Sequence, residues 1–246
     1  MSLPTATLSP TPALARTEPR PRPRTRIKIC GLTREADVDA AVAAGADAVG
    51  FVLYAKSPRY VSPERAAALA RRLPPFVTPV LLFVNEDASK IRAITDQFTP
   101  GLLQFHGDET PEACLEAAAT CGWAWMRAAR IPAGSAFDLL EFVHTWHHAQ
   151  AILLDAHVEG YGGGGTPFDW SLLPPNVDAH LVLSGGLTPA NVGDGIRALR
   201  SRGRSLAVDV SSGVEALGPD GRPLKGVKDA LRIHQFVAAV RAADAS

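Results

Sequence analysis

The chain has 246 residues, 46% hydrophobic and 20% charged, the balance of an ordinary globular protein. Lys+Arg and Asp+Glu each number 25, so the formal net charge is zero; this excludes the basic excess with which a general nucleic-acid surface displaces counterions, and gives no pull toward an anionic membrane. Three cysteines without paired short spacings (Cys30, Cys114 and Cys121) do not make a secreted disulfide framework, and no apolar run approaches the roughly 20 residues that span a bilayer.

Residues 1–25 are rich in Pro, Arg and Thr, as in Glu18-Pro19-Arg20-Pro21-Arg22-Pro23-Arg24, and lack the apolar centre of a secretory signal. They read as a disordered basic tail, with a transit peptide as the alternative. From residue 26, short apolar runs alternate with longer Ala-rich stretches. The runs are Ile27-Lys28-Ile29-Cys30, then residues 48–53, 79–84, 102–106 and 123–127, then Ile152-Leu153-Leu154-Asp155, 180–184 and 206–210. Continuous apolar runs suit parallel strands covered on both faces.

The stretches between them read as helices. Residues 36–44 are Ala-rich and end at Gly45, a residue suited to a left-handed helix stop. Ser62-Pro63, Thr110-Pro111 and Thr188-Pro189 each suggest an N-cap followed by proline at the first helical position, where its missing N–H has no partner to lose. Residues 169–173 allow only a short sixth helix before Pro174-Pro175, and residues 228–243 form a long last one. Eight strand–helix units in one domain, residues 26–246, predict a (β/α)₈ TIM barrel, an α/β fold. An open doubly wound sheet is the alternative, although no Gly-x-Gly-x-x-Gly follows the first strand.

Either fold gathers function at the carboxyl ends of the strands. Cys30, His106, Asp155 and Ser184 close strands one, four, six and seven, and Asp209 lies near the end of strand eight. Polar groups ending buried apolar runs are costly unless paired or wet, so together they suggest a cavity. Ser184-Gly185-Gly186-Leu187 and Ser211-Ser212-Gly213-Val214 follow the last two strands, where barrels often bind phosphate through main-chain N–H groups. Tyr161-Gly162-Gly163-Gly164-Gly165 reads as a closing loop or as a plain linker.

Strand alternation turns Lys28 inward with Cys30, and closure would bring Asp209 beside them. A buried Lys28–Asp209 pair is therefore expected beneath the thiol, tuning it. Arg59 reads as a planar clamp for a carboxylate or as a solvated loop arginine. His106 reads as a satisfied core histidine or a substrate contact. Cys114 and Cys121 lie around the fourth helix, as packing or surface residues. Glu141, His144, His147 and His148 belong to the fifth helix, outside the barrel mouth, and read as a solvated face rather than a metal site.

Taken in order, these motifs resemble the phosphoribosylanthranilate isomerase family. The resemblance runs through Ile27-Lys28-Ile29-Cys30-Gly31-Leu32-Thr33, the loop from Lys56 to Tyr60, Gln104-Phe105-His106-Gly107, Leu153-Leu154-Asp155, Phe168-Asp169-Trp170-Ser171, Leu183-Ser184-Gly185-Gly186-Leu187 and Val208-Asp209-Val210-Ser211-Ser212-Gly213-Val214-Glu215. It covers the chain from Arg26 to the last helix. It departs at Ala55, where relatives carry proline, at Thr166-Pro167, and at residues 218–225, which read as an insertion.

The resemblance implies an Amadori rearrangement in tryptophan biosynthesis, converting N-(5-phosphoribosyl)anthranilate to 1-(2-carboxyphenylamino)-1-deoxyribulose 5-phosphate without a metal or organic cofactor. It assigns Asp155 as general acid and Cys30 as general base. A thiol with an ordinary pKa near ~8.5 is only partly ionised at neutral pH, so thiolate-stabilising surroundings would help. Arg59 would hold the anthranilate carboxylate, and Gly185, Gly186, Ser211, Ser212 and Gly213 the phosphate, with His106 and Asp209 as further substrate contacts. The expected partner is a small phosphorylated molecule, with no nucleic acid, membrane or metal, in a cytoplasmic enzyme and by default a monomer. The alternatives are another phosphate-binding barrel enzyme and a silent barrel that binds a phosphorylated metabolite.

Overall fold

Eight parallel strands close on themselves in the computed structural model, which describes residues 24–99, 101–132, 137–157 and 173–246. They are β1 (Arg26–Cys30), β2 (Ala48–Val52), β3 (Thr78–Phe83), β4 (Leu102–Phe105), β5 (Ala124–Pro132), β6 (Ala151–His157), β7 (His180–Leu183) and β8 (Ser205–Val210). β8 pairs back onto β1, from Arg26↔Ala207 to Ile29↔Val210, so the open-sheet alternative is excluded. α1 (Glu35–Ala44), α2 (Pro63–Ala70), α3 (Ala88–Thr95), α4 (Pro111–Cys121), α5 (Leu139–Thr145), α6 (Val192–Leu199) and α7 (Ala230–Ala245) complete the strand–helix units among the described residues.

Side-chain alternation sorts each strand between two apolar layers. Ile27, Ile29, Val49, Phe51, Leu81, Phe83, Ile152 and Leu154 belong to the large core shared with the helices. Val80, Met126, Ala128, Leu153 and Val182 form a smaller one, with Ala48, Leu102, Ala151 and Ala207 packed against it. These are the inward residues, and they fill the barrel from its amino-terminal end. Further along the same strands the inward positions become Cys30, Gln104, Asp155 and Asp209, so the polar groups gather at the other end.

The helix punctuation follows the sequence at most junctions. Gly45 ends α1 in the left-handed conformation (φ 90°), and the hydroxyls of Ser62 and Thr110 accept from the N–H of Arg65 and Ala113. Three expectations are corrected. Thr188-Pro189 does not start a helix. It forms a turn held by Asn191, whose Oδ1 accepts from the Thr188 N–H at 2.7 Å, and α6 begins at Val192. The last helix starts at Ala230, capped by Asp229, because the chain before it is a hairpin: β9 (Glu215–Leu217) and β10 (Pro223–Lys228) pair antiparallel. β5 runs to Pro132, five residues beyond the expected end, paired along its length with β6. The proposed sixth helix, apart from Leu173, the glycine run at 162–165 and Thr166-Pro167 lie outside the described residues.

The chain is locked to its last helix at Thr25. This residue, which composition assigns to the tail, is buried. Its N–H and hydroxyl donate to the Asp244 carboxylate at 3.0 and 2.6 Å, and its carbonyl accepts from Arg241 at 2.9 Å. Asp244→Ala leaves these donors unmatched. It is expected to cost about 2 kcal/mol and lower Tm by roughly 4–8 °C, with turnover at ambient temperature unchanged; thermal unfolding beside a rate assay measures both.

Candidate active site

The inward face of β1 carries Lys28 and Cys30 into the ring. Asp209 is the register partner of Lys28 on β8, and Lys28 Nζ donates to its Oδ1 at 2.7 Å. Both side chains are buried, so the expected pair is present, and Ser184 Oγ donates to the other carboxylate oxygen at 3.2 Å. Burial opposes the Lys28 charge, but Asp209 and Cys30 outweigh it and hold its pKa above the usual lysine value. Burial pushes the Cys30 thiol above its ordinary range against the opposing pull of Lys28. The net shift is thus upward, and the help for a thiolate lies in the nearby ammonium. Gly50 faces this group across β2: a Cβ there would stand 2.7 Å from Cys30 Sγ and 3.1 Å from Lys28 Cε, so the missing side chain leaves room for both.

On the far side, β4 and β6 place a second set. His106 Nε2 lies 3.0 Å from Asp155 Oδ2, and Gln104 Nε2 lies 3.0 Å from His106 Nδ1. In this amide orientation Gln104 donates to Nδ1, so the neutral imidazole carries its proton on Nε2 and donates it to Asp155. Gln104 Oε1 is buried without a hydrogen-bond partner among the described residues. The sequence points to His106 and Asp155 separately. No sequence motif singles out Gln104, although its spacing of two from His106 puts both on one face of the strand.

Arg59 reaches the same cavity but is not an open clamp. Its Nε and Nη2 donate to Glu215 Oε1 and Oε2 at 2.7 and 3.0 Å, leaving Nη1 for a ligand. The Glu215 side chain has no exposed surface. Burial raises its pKa, but hydrogen bonding from Arg59 and the charge of Lys228 prevail, holding it below the usual carboxylate value. A buried anion needs such partners, and the β9–β10 hairpin supplies another, the Gly226 N–H at 2.8 Å. Glu215 and Lys228 are the main residues missed from sequence. Glu215 closes the motif at residues 208–215 with no role legible in sequence, and the sequence pattern places Lys228 at the start of the last helix.

Gly185 and Gly186 after β7, and Ser211 and Ser212 after β8, line one cavity with Cys30, Arg59, Gln104, His106, Asp155 and Asp209. The cleft holds about 720 Å³ of non-atom space, open solvent included. Gly213 serves it differently. A Cβ there would stand 1.8 Å from the Leu187 carbonyl oxygen, so glycine is what lets the turns after β7 and β8 touch. Ser212–Val214 is a single 3₁₀ turn. The remaining reactive residues lie elsewhere. Cys114 is buried in α4, its thiol pushed up to about 12 by burial. His144 is on α5, and among the described residues no three His, Cys, Asp or Glu side chains are grouped to hold a metal ion.

Known proteins resemble this chain along most of its length. Residues 27–239 match the family model described as N-(5'phosphoribosyl)anthranilate (PRA) isomerase. Proteins named N-(5'-phosphoribosyl)anthranilate isomerase are similar over nearly their whole length. The one from Leptothrix cholodnii is 60% identical over 217 residues, 88% of this chain and 91% of that protein. The one from Dechloromonas aromatica is 56% identical over 218 residues, 89% and 97% of the two chains. Among solved structures, phosphoribosyl anthranilate isomerase from Thermotoga maritima superposes with a TM-score of 0.75 at 40% identity, covering 89% of this chain and 99% of that one. A phosphoribosyl anthranilate isomerase in complex with reduced 1-(o-carboxyphenylamino)-1-deoxyribulose 5-phosphate gives 0.73 at 39% identity, with the same coverage. On sequence and fold together, the chain belongs to the N-(5'-phosphoribosyl)anthranilate isomerase family.

Proposed function

We propose that the chain carries out the rearrangement for which its family is named. N-(5'-phosphoribosyl)anthranilate becomes 1-(2-carboxyphenylamino)-1-deoxyribulose 5-phosphate in tryptophan biosynthesis, with Asp155 as general acid and Cys30 as general base. The carrying observation is that a thiol and a carboxyl from separate strands line one cavity with two Gly- and Ser-rich turns. The turns at Gly185-Gly186 and Ser211-Ser212 hold the phosphate through main-chain N–H groups and hydroxyls. Arg59 Nη1 meets the anthranilate carboxylate, its angle set by Glu215. These two anchors place the sugar between Asp155 and Cys30.

Asp155 protonates the ring oxygen, the furanose opens, and the aryl nitrogen and C1′ become a Schiff base. His106 Nε2, 3.0 Å from Asp155 Oδ2, holds that carboxyl in place toward the sugar. Cys30 as thiolate removes the C2′ proton, and the enolamine tautomerises to the ketone. Every step is a proton transfer or a tautomerisation, which side chains perform without a metal or organic cofactor. A silent phosphate-binding barrel would need neither the Gly50 gap beside Cys30 nor the His106 contact to Asp155. The working unit is residues 26–246 as one catalytic domain, together with Thr25, in the cytoplasm.

Turnover, followed as loss of anthranilate-type fluorescence, tests the reading. Cys30→Ser and Asp155→Asn are each expected to lower kcat by about 10²–10⁴-fold, and undiminished turnover in either variant removes that residue from the mechanism. Arg59→Ala is expected to raise KM about tenfold with much less change in kcat; an unchanged KM rejects the carboxylate contact. The pH dependence follows from Cys30. Its pKa lies above the ordinary thiol value and the base is the thiolate, so kcat should climb from neutral into alkaline pH, by about tenfold per unit at most. A kcat that is flat or falls across that range contradicts a thiolate base.

A further inference from the structure

Nothing in the scheme above uses Lys228, yet neither its side chain nor that of Glu215 has exposed surface. At the end of β10 its Nζ donates to the main-chain oxygen of Ser211 at 2.9 Å and to Ser211 Oγ at 3.2 Å, and lies 3.4 Å from Glu215 Oε1. An ammonium has three donors and no acceptor, and these contacts engage all three. A serine hydroxyl has a single proton. Because Ser211 Oγ accepts from Lys228, it must direct that proton elsewhere, and Ser211 lines the cavity.

We propose that Lys228 is a positioning residue for the substrate phosphate: by donating to both oxygens of Ser211 it holds the turn after β8 and commits the Ser211 hydroxyl to donate to a phosphate oxygen. This rests on the reading of that turn as the phosphate site. On its other side the ammonium meets Glu215, which orients Arg59. One run of charge-assisted contacts therefore joins the phosphate end of the site to the carboxylate end.

The ionisable groups facing Lys228 are Glu215 from β9, Arg59 from the loop after β2 and Cys30 from β1. Its main chain is held by Asp37 of α1 and by Arg34 just before that helix. Burial outweighs Glu215 and lowers its pKa from 10.5 to about 8. Above that pH the neutral amine gains a lone pair and competes for the Ser211 proton.

Binding of inorganic phosphate to the full chain, measured calorimetrically from neutral pH to about 10, tests this without turnover. The unaltered protein should bind most tightly below about pH 8 and lose about tenfold in affinity above it, as a charge-assisted contact becomes a neutral one. Lys228→Met should bind about tenfold more weakly at neutral pH and show no alkaline loss. Lys228→Arg, whose guanidinium stays protonated, should keep neutral-pH affinity and also show no alkaline loss. If Lys228→Met fails to fold, the contrast between unaltered protein and Lys228→Arg decides. Phosphate affinity unaffected by Lys228→Met, or an alkaline loss that persists in Lys228→Arg, overturns the role of Lys228 alone. No phosphate binding by the unaltered protein overturns the phosphate reading and this inference with it.

Discussion

A charge placed inside a barrel has to be balanced inside the barrel, and this constraint organises the molecule. Lys28 points inward from β1, and closure brings the Asp209 carboxylate within 2.7 Å of it from β8. Breaking such a pair strands an ion in a medium that solvates it poorly, so each partner requires the other. The pair then sets the surroundings of Cys30, whose thiol feels burial in one direction and the Lys28 ammonium in the other. Ser184 ties strand seven to the same carboxylate. The ring, the thiol and the start of the turn after β7 thus share one electrostatic anchor.

The barrel was legible because its signal is periodic and local. Eight apolar runs separated by capped helices leave few arrangements, and strand alternation puts Lys28 and Cys30 on one face, which barrel closure turns inward. The catalytic end was legible for a related reason: a polar residue ending an apolar run stands out in one dimension, as Cys30, His106, Asp155 and Asp209 each do. What escaped was long-range or irregular. Glu215 and Lys228 gain their meaning from a hairpin that folds back over Arg59, and residues 218–225, rich in Gly, Pro and charge, carry no periodic pattern to announce it. Thr188-Pro189 has the composition of a helix start, but Asn191 captures the Thr188 N–H and delays the helix by a turn.

Arg59 shows how the hairpin changes the chemistry of a recognisable motif. As a loop residue its planar fork is open on both edges, the arrangement suited to a carboxylate. In the folded chain one edge is filled by Glu215, so the guanidinium plane is already fixed before the proposed carboxylate contact. The arrangement trades bidentate strength toward the ligand for orientation, and side chains held before the substrate arrives lose less freedom on binding it.

The packing around Cys30 also bears on durability. Peroxide and alkylating agents attack the ionised sulfur, and the neutral form is largely inert to them. Sunk in the ring, with its ionisation held back by burial, Cys30 spends most of its time in the inert state. The environment that keeps the reactive population small therefore also shields the residue from permanent oxidative damage between turnovers.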